Sequence, residues 1–383
     1  MTRPHKVKGK SKKAKVSGHK IMLTRLRSSY ILFLLLLPFA FLLLPLSSVR
    51  AVNDEQGIAP QASPTPNAPE DEEVEIDEGD VVSVSTSEVL LPVTVRDANG
   101  QLIKTLTRKD FRVFEDGREQ PLSDLALRQV PVDVVLMLDA SSSVANNLDD
   151  FRRAVEEFAV KLAPEDRLSL IKFDDRVELL QDWTQSRVQL RRALRRIVPG
   201  VFTRFNDALV LASKEQLQQA RGRHAIIVLT DGLDSGRGQS TLEAALHALL
   251  EAQATVYVVS NTEIERARKR AELDTLLANS ISVIRFNELR IGDLREGLRV
   301  LDISEQNLER LTAATGGRLY KPVSFESLDK TYAEVAEELR HQYALYYTPL
   351  NKARDGRLRR VRVETANPAF KVSTRLGYYA PRR

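Results

Sequence analysis

Apolar residues recur along this chain with different periods, and each period marks a different kind of segment. VDVVLMLD at 132–139 is a continuous apolar run, as expected for a strand buried on both faces of a parallel sheet. After Asn147, a candidate N-cap, Leu148, Phe151, Val155, Phe158 and Leu162 fall at steps of three and four, which predicts an amphipathic helix. LSLIKF (168–173) reads as a strand, VELL (177–180) as a short edge strand, and 187–198 and 206–220 as helices. AIIVLT (225–230), a helix at 241–252 and TVYVVS (255–260) continue the alternation. Strands alternating with helices imply a doubly wound, mostly parallel α/β sheet with helices on both faces.

The flanks follow period two. Val82 and Val84, then Leu91, Val93 and Val95, alternate with polar residues, and Asp97-Ala98-Asn99-Gly100 and Asp116-Gly117 supply turns. Residues 342–381 repeat this pattern in YALYYTP, RLRRVRVET and FKVSTRLGYYA. Neither end holds enough strands for an independent sheet. The two are therefore expected to pair as one small all-β sandwich, built from 81–130 and 342–383, with an α/β domain over 131–341 inserted between them. Inside that domain, 261–303 is too long for an ordinary connection. Leu273, Leu276 and Leu277, then Leu294, Leu298 and Leu301, predict two short amphipathic helices joined around ISVIRFNE. They are expected on the rim beyond the strands' carboxyl ends, either flanking the ligand site or packed as decoration on the sheet edge.

The first 80 residues read differently. Residues 1–51 hold 11 Lys/Arg and no acid, and 30–46 are apolar apart from their prolines. Seventeen helical residues span about 25 Å, short of the ~30 Å hydrocarbon core. A signal peptide cleaved after Ala51 and an N-terminal membrane anchor both fit. In either case the rest is expected to be exported, to a periplasmic or extracellular location, secreted or tethered to the cytoplasmic membrane. Membrane contact is expected only through 30–46, if the leader is retained. Residues 52–80, with 10 Asp/Glu and no Lys/Arg, read as a disordered acidic, Pro-rich linker. The formal charge of +5 is an effect of the leader. Beyond residue 51 there are 46 basic against 52 acidic residues, so nucleic-acid binding loses its electrostatic footprint. The chain has no cysteine, which removes disulfides, thiolate metal sites and catalytic thiols.

Ligands of open α/β sheets bind outside the carboxyl ends of the strands. There the sequence places Asp139-Ala140-Ser141-Ser142-Ser143 after the first strand, Thr203 ahead of a helix, and Asp231 at the end of IIVLTDG. Two carboxylates and three hydroxyls form an all-oxygen set suited to a hard cation such as Mg²⁺. If the carboxylates act through the outer shell, the ion keeps an open position that a partner's carboxylate can fill. D-x-S-x-S, a later Thr and T-D-G resemble the metal-ion-dependent adhesion site (MIDAS) of von Willebrand factor A (VWA) domains. The wider chain, about 85–381, resembles the acidobacterial-type VWFA-related family through LTRKDFRVFEDGREQPL, VVLMLDASSSV, IKFDDRVELLQDWT, FNDALVLA, GRHAIIVLTDGLDS, ATGGRLY and AEELRHQYALYYTP.

That resemblance implies Ser141, Ser143 and Thr203 as direct ligands of Mg²⁺ (or Mn²⁺ or Ca²⁺), with Asp139 and Asp231 acting through water. It further implies a protein or peptide partner offering a carboxylate. Pro199-Gly200-Val201-Phe202-Thr203 departs from the family's Gly-Gly-Thr approach, and Phe202 is expected to alter access. The competing readings are a metal-independent scaffold for an envelope complex and a metal-assisted hydrolase. The phosphatase-type second Asp is replaced by Ser141, and no G-x-S-x-G elbow or phosphate loop exists. The reading is therefore a binding protein and not an enzyme.

Overall fold

The computed structural model describes residues 88–127, 130–142, 147–220, 222–230 and 234–382. The expected leader and linker lie outside the described residues, as do Ser143 and Asp231. Four short strands open the described chain: β1 (Val89–Arg96), β2 (Phe111–Glu115), β3 (Arg118–Gln120) and β4 (Leu122–Leu127). The central run follows as β5 (Val132–Asp139), α1 (Leu148–Lys161), β6 (Arg167–Phe173), β7 (Val177–Thr184), α2 (Arg187–Leu194), α3 (Phe205–Leu211), β8 (Arg223–Thr230), α4 (Leu242–Glu251) and β9 (Thr255–Ser260). Three helices come next, α5 (Thr262–Leu277), α6 (Ile281–Phe286) and α7 (Glu288–Thr315), then β10 (Arg318–Tyr320) and α8 (Leu328–Arg340). The chain closes with β11 (Tyr343–Tyr347), β12 (Leu358–Thr365), β13 (Lys371–Ser373) and β14 (Gly377–Tyr379). Among the described residues no helix is long and apolar enough to cross a membrane.

The central sheet has the order β10-β9-β8-β5-β6-β7 and is parallel except for the edge strand β7. All eight residues of β5 are buried, because helices cover both faces. Phe151, Val155 and Phe158 of α1, Leu190 and Leu194 of α2, and Tyr332, Val335 and Leu339 of α8 pack against one face. Phe205 and Leu209 of α3, Leu249 of α4, and Leu308 and Leu311 of α7 pack against the other. From β5 the chain first builds outward through β6 and β7, then returns to add β8 on the opposite side. The switch point therefore lies between β5 and β8, where this sheet type forms its ligand crevice.

The chain ends pair as expected. Sheet β13-β1-β11-β4 and sheet β14-β12-β2-β3 are antiparallel, and each mixes strands from both ends of the chain. Leu91, Val93 and Val95 of β1 share a core with Phe111, Val113, Tyr343, Leu345, Val361 and Val363. At its margin the Tyr347 and Tyr378 hydroxyls both donate to the buried Glu115 carboxylate, each at 2.8 Å.

Some boundaries differ from expectation. The edge strand β7 has 8 residues where VELL predicted four. The helix expected to reach residue 220 is regular only to Leu211, then widens to a π turn over Ala212–Gln216 and tightens to a 3₁₀ turn. Asn147 precedes α1, yet its side chain makes no capping bond. The largest difference is in the insertion. ISVIRF is itself helical, and α7 runs 28 residues without interruption, well past residue 303 where the insertion was expected to end. At 1.5 Å per residue α7 is about 42 Å long. It stops at Gly316, whose φ of 77° is the left-handed conformation that glycine adopts without a Cβ penalty.

Candidate functional site

The site begins at the end of β5. Asp139 is fully buried, and it is the carboxylate that ends the five consecutive apolar positions 134–138 of that strand. One of its oxygens accepts the Ser141 backbone N–H at 2.9 Å, closing a turn that directs the chain out of the sheet. The other accepts the Thr230 hydroxyl at 2.7 Å. Thr230 is the last residue of β8, so this bond spans the switch point between the two central strands. Motif reading included Thr230 only as part of T-D-G. Its signal was the first polar side chain after IIVL, at a strand end beside Asp139.

Thr203 comes from a different loop, brought in by a chain of hydrogen bonds. The Gly200 N–H donates to the Ala140 carbonyl at 2.8 Å, and the Ser142 hydroxyl reaches the Val201 carbonyl at 3.4 Å. Asp175, just past β6, accepts the N–H groups of Val201 at 3.0 Å and Phe202 at 3.1 Å. Asp174-Asp175 thus performs turn and loop-anchoring chemistry. Gly200 is required here, since a Cβ would lie 2.7 Å from both Asp174 Cγ and Asp175 Oδ2. On the other side, Ser235 brackets Thr203. Its backbone N–H and its hydroxyl each donate to the Thr203 carbonyl at 2.9 Å, and its Oγ accepts the Thr203 N–H at 3.3 Å. Asp234 accepts the Asn206 N–H at 2.9 Å, and Asp207 accepts the Gln239 and Ser240 N–H groups at 3.0 and 2.8 Å. Burial opposes the charge on Asp207, but the hydrogen bonds from Ser240, Gln239 and Arg204 outweigh it and hold the carboxyl below its usual range.

Four loops, 139–142, 174–176, 199–204 and 234–240, are therefore tied into one rim. Of the five predicted site residues, Asp139, Ser141 and Thr203 fall on it and are buried, while Ser143 and Asp231 fall outside the described residues. Among the described residues no group of three His, Cys, Asp or Glu side chains is placed to hold a metal ion. A cation at this rim would depend on hydroxyl oxygens and on those two outlying positions. One observation fits a further polar group. Asn261, directly after β9, donates its N–H to the Thr230 carbonyl at 3.2 Å. Among the described residues its side-chain Oδ1 and Nδ2 are both buried without a hydrogen-bond partner. A buried unsatisfied amide costs about 1–3 kcal/mol and is a usual sign of an ion or water position nearby. The donor set, all oxygen around one buried carboxylate, suits a hard divalent cation.

The insertion reaches the rim through α7 rather than through the two short helices expected. Val300, Ile303 and Ser304 share a cavity of about 150 Å³ with Phe205, Asn206 and Asp234.

Residues 134–234 match the family model of the von Willebrand factor type A domain, and all five candidate positions lie within that stretch. Within the α/β part, this matched stretch is similar to a VWA domain. Solved structures of similar chains include proximal thread matrix protein 1 from the mussel byssus, at 14% identity over 59% of this chain and 50% of that one, with a TM-score of 0.42. The von Willebrand domain of a type V pili tip protein from Porphyromonas gingivalis is 27% identical over 27% of this chain and 39% of that one, with a TM-score of 0.26. A von Willebrand factor type A protein from Catenulispora acidiphila is 12% identical over 67% of this chain and 51% of that one, with a TM-score of 0.41. The chain thus spans about half the length of the mussel protein and less of the pili protein.

Proposed function

We propose that this chain is an exported binding protein that takes a carboxylate of a protein or peptide ligand at a MIDAS-type cation site. The site residues are Asp139, Ser141, Ser143, Thr203 and Asp231, with Mg²⁺, Mn²⁺ or Ca²⁺ as the ion. VWA domains are mostly non-catalytic binding modules, and the wider likeness of 85–381 to acidobacterial-type VWFA-related proteins favours the exported reading. The observation that carries the proposal is the buried Asp139 carboxylate at the switch point, with one oxygen held by the Ser141 N–H and the other by the Thr230 hydroxyl. Both bonds fix the orientation of the carboxylate, and the Ser141 and Thr203 loops are held beside it. A bound ion would supply a Lewis-acidic open position for an incoming carboxylate. The residues supply orientation: Asp139 as an outer-shell base, Ser141 and Thr203 as neutral oxygen donors that leave positive charge unquenched.

Titration calorimetry on the full chain tests this. One Mg²⁺ or Mn²⁺ binds per chain, and Ser141→Ala abolishes binding with the fold retained. At a hundredfold excess over Kd the ion raises stability by about 2.7 kcal/mol. The absence of divalent binding at millimolar concentration removes the proposal. Partners captured from envelope extracts that persist in chelator would instead indicate the metal-independent scaffold.

A further inference from the structure

We propose that Arg237, stacked on Phe202 at the rim of the site, is a second anchor that makes the preferred ligand a peptide with two acidic groups, one for the cation and one for Arg237. This rests on the carboxylate-binding reading above. The Arg237 guanidinium carbon lies 3.6 Å from the centre of the Phe202 ring. Phe202 immediately precedes Thr203, and Arg237 lies two residues after Ser235, which brackets Thr203. The pair is therefore fixed from both sides of one candidate ligand residue.

Each partner stands on an anchored backbone. Asp175 holds the N–H of Phe202. Asp234 holds the N–H of Gly236 at 2.8 Å, in a turn that Gly236 enters with φ 67°. The ring holds the guanidinium carbon over its face, and the guanidinium still carries a planar set of N–H donors. That is the fork geometry that reads a carboxylate.

Among the described residues, the acids of these loops are bonded elsewhere. Asp175 is committed to Val201 and Phe202, Asp234 to Asn206 and Gly236, and Asp207 to Gln239, Ser240 and Arg204. Among the described residues Arg237 joins no ion pair, and it is solvent-exposed. Val201, 63% exposed, adds an apolar surface to the same loop. The exposed arginine favours an acidic ligand group over a cationic one at this position. Phe202, which departs from the small residues of the related motif, has the role of a platform: it holds Arg237 in one place, so less side-chain freedom is lost when the ligand arrives.

The test uses the immobilised full chain in Mg²⁺ with two pentapeptides, Gly-Gly-Asp-Gly-Gly and Gly-Asp-Gly-Glu-Gly, both capped at their termini. The doubly acidic peptide binds more tightly by a factor of up to about five, the range of one added solvent-exposed ion pair. Arg237→Gln removes that preference, Arg237→Lys restores part of it, and Phe202→Leu reduces it. Calorimetric Mg²⁺ affinity is measured on every variant, so loss of the ion is distinguished from loss of the second contact. A preference that survives Arg237→Gln overturns the assignment and leaves the metal reading standing. Failure of both peptides to bind wild-type chain that holds Mg²⁺ overturns the carboxylate reading and this inference with it.

Discussion

The rim around Asp139 and the helical insertion leave the same end of the central sheet, yet they are held by opposite means. In the rim nearly every loop is fixed by a carboxylate or hydroxyl bonded to backbone N–H groups of another loop: Asp175 to 201–202, Asp207 to 239–240, Ser235 to Thr203. Such bonds are short and directional, and they place side chains without requiring a local core. The insertion uses apolar contact at its foot and ion pairs along its length. Leu301, Leu308 and Leu311 of α7 are buried, and Arg266 of α5 sits between Glu263, Asp302 and Glu305. At the far end the burial disappears, with Ile281 72%, Phe286 90% and Leu289 87% exposed. The rim is thus built for fixed geometry, and the insertion is stable where it meets the sheet and free where it leaves it.

The foot of the insertion is where that contrast breaks most easily. Gly317 follows the end of α7, and a Cβ there would lie 1.9 Å from the Val256 carbonyl oxygen of β9. At Gly316 the same addition meets the Arg375 backbone N–H at 2.4 Å. Helix, parallel sheet and β-sandwich therefore converge on two residues without side chains. Gly317→Val is expected to cost about 4 kcal/mol or more, since backbone cannot yield as a side chain can. Chemical denaturation should show one lowered transition for sheet and sandwich together. A variant of near wild-type stability would show that the foot is not a fixed point.

A smaller effect separates the rim's hydrogen bonds from ordinary surface polarity. Asp207 has its carboxyl held below its usual range, so its contribution is fully present above the unfolded value, about 3.9. It is lost as pH falls through the lower folded value. Asp207→Asn is expected to cost about 1–3 kcal/mol at pH 7, the range for losing hydrogen bonds to a charged acceptor. The gap from wild type should narrow as pH falls below about 4. Urea unfolding at pH 7 and pH 3 measures both gaps, and an equal gap at the two values would mean that Asp207 acts by shape and not by charge.

Which of these features could be read in advance follows from how they are encoded. β5, β8 and β9 were legible because burial on both faces leaves an apolar run, and Asp139 was legible as the polar residue that ends one. The pairing of the chain ends was legible through period two and the shortage of strands at each end. The anchors of the rim were not, since Asp175 and Phe202 are 27 residues apart and no local pattern joins them. The continuity of α7 was hidden for another reason. Leu308 and Leu311 join the core under the sheet, whereas Leu294 and Leu301 are buried outside that core. Polar stretches such as Ser304-Glu305-Gln306-Asn307 intervene, so no single stripe runs its length. β10, three residues long, is too short to show any period.

The smallest expected effect is at the tip, and it tests the free end of the comparison directly. Replacing Ile281, Phe286 and Leu289 together with Ser removes three large apolar side chains that bury little of their surface. Surface changes away from caps, cores and networks stay within about 0.5 kcal/mol each. Loss of helix propensity adds only a few tenths per site, because Ser lies in the same middle range as Phe and Ile. The ion pair that bridges the hairpin, Arg290 with Glu272 at 2.6 and 2.8 Å, is untouched. The contact of α7 with the rim through Val300, Ile303 and Ser304 lies more than two helical turns further along the helix. Thermal unfolding should therefore move by only a few degrees, and Mg²⁺ affinity measured by calorimetry should not move at all. A lost transition would place the tip in a folded contact, and a changed Mg²⁺ affinity would tie it to the rim; either result would remove the division between a fixed rim and a free tip.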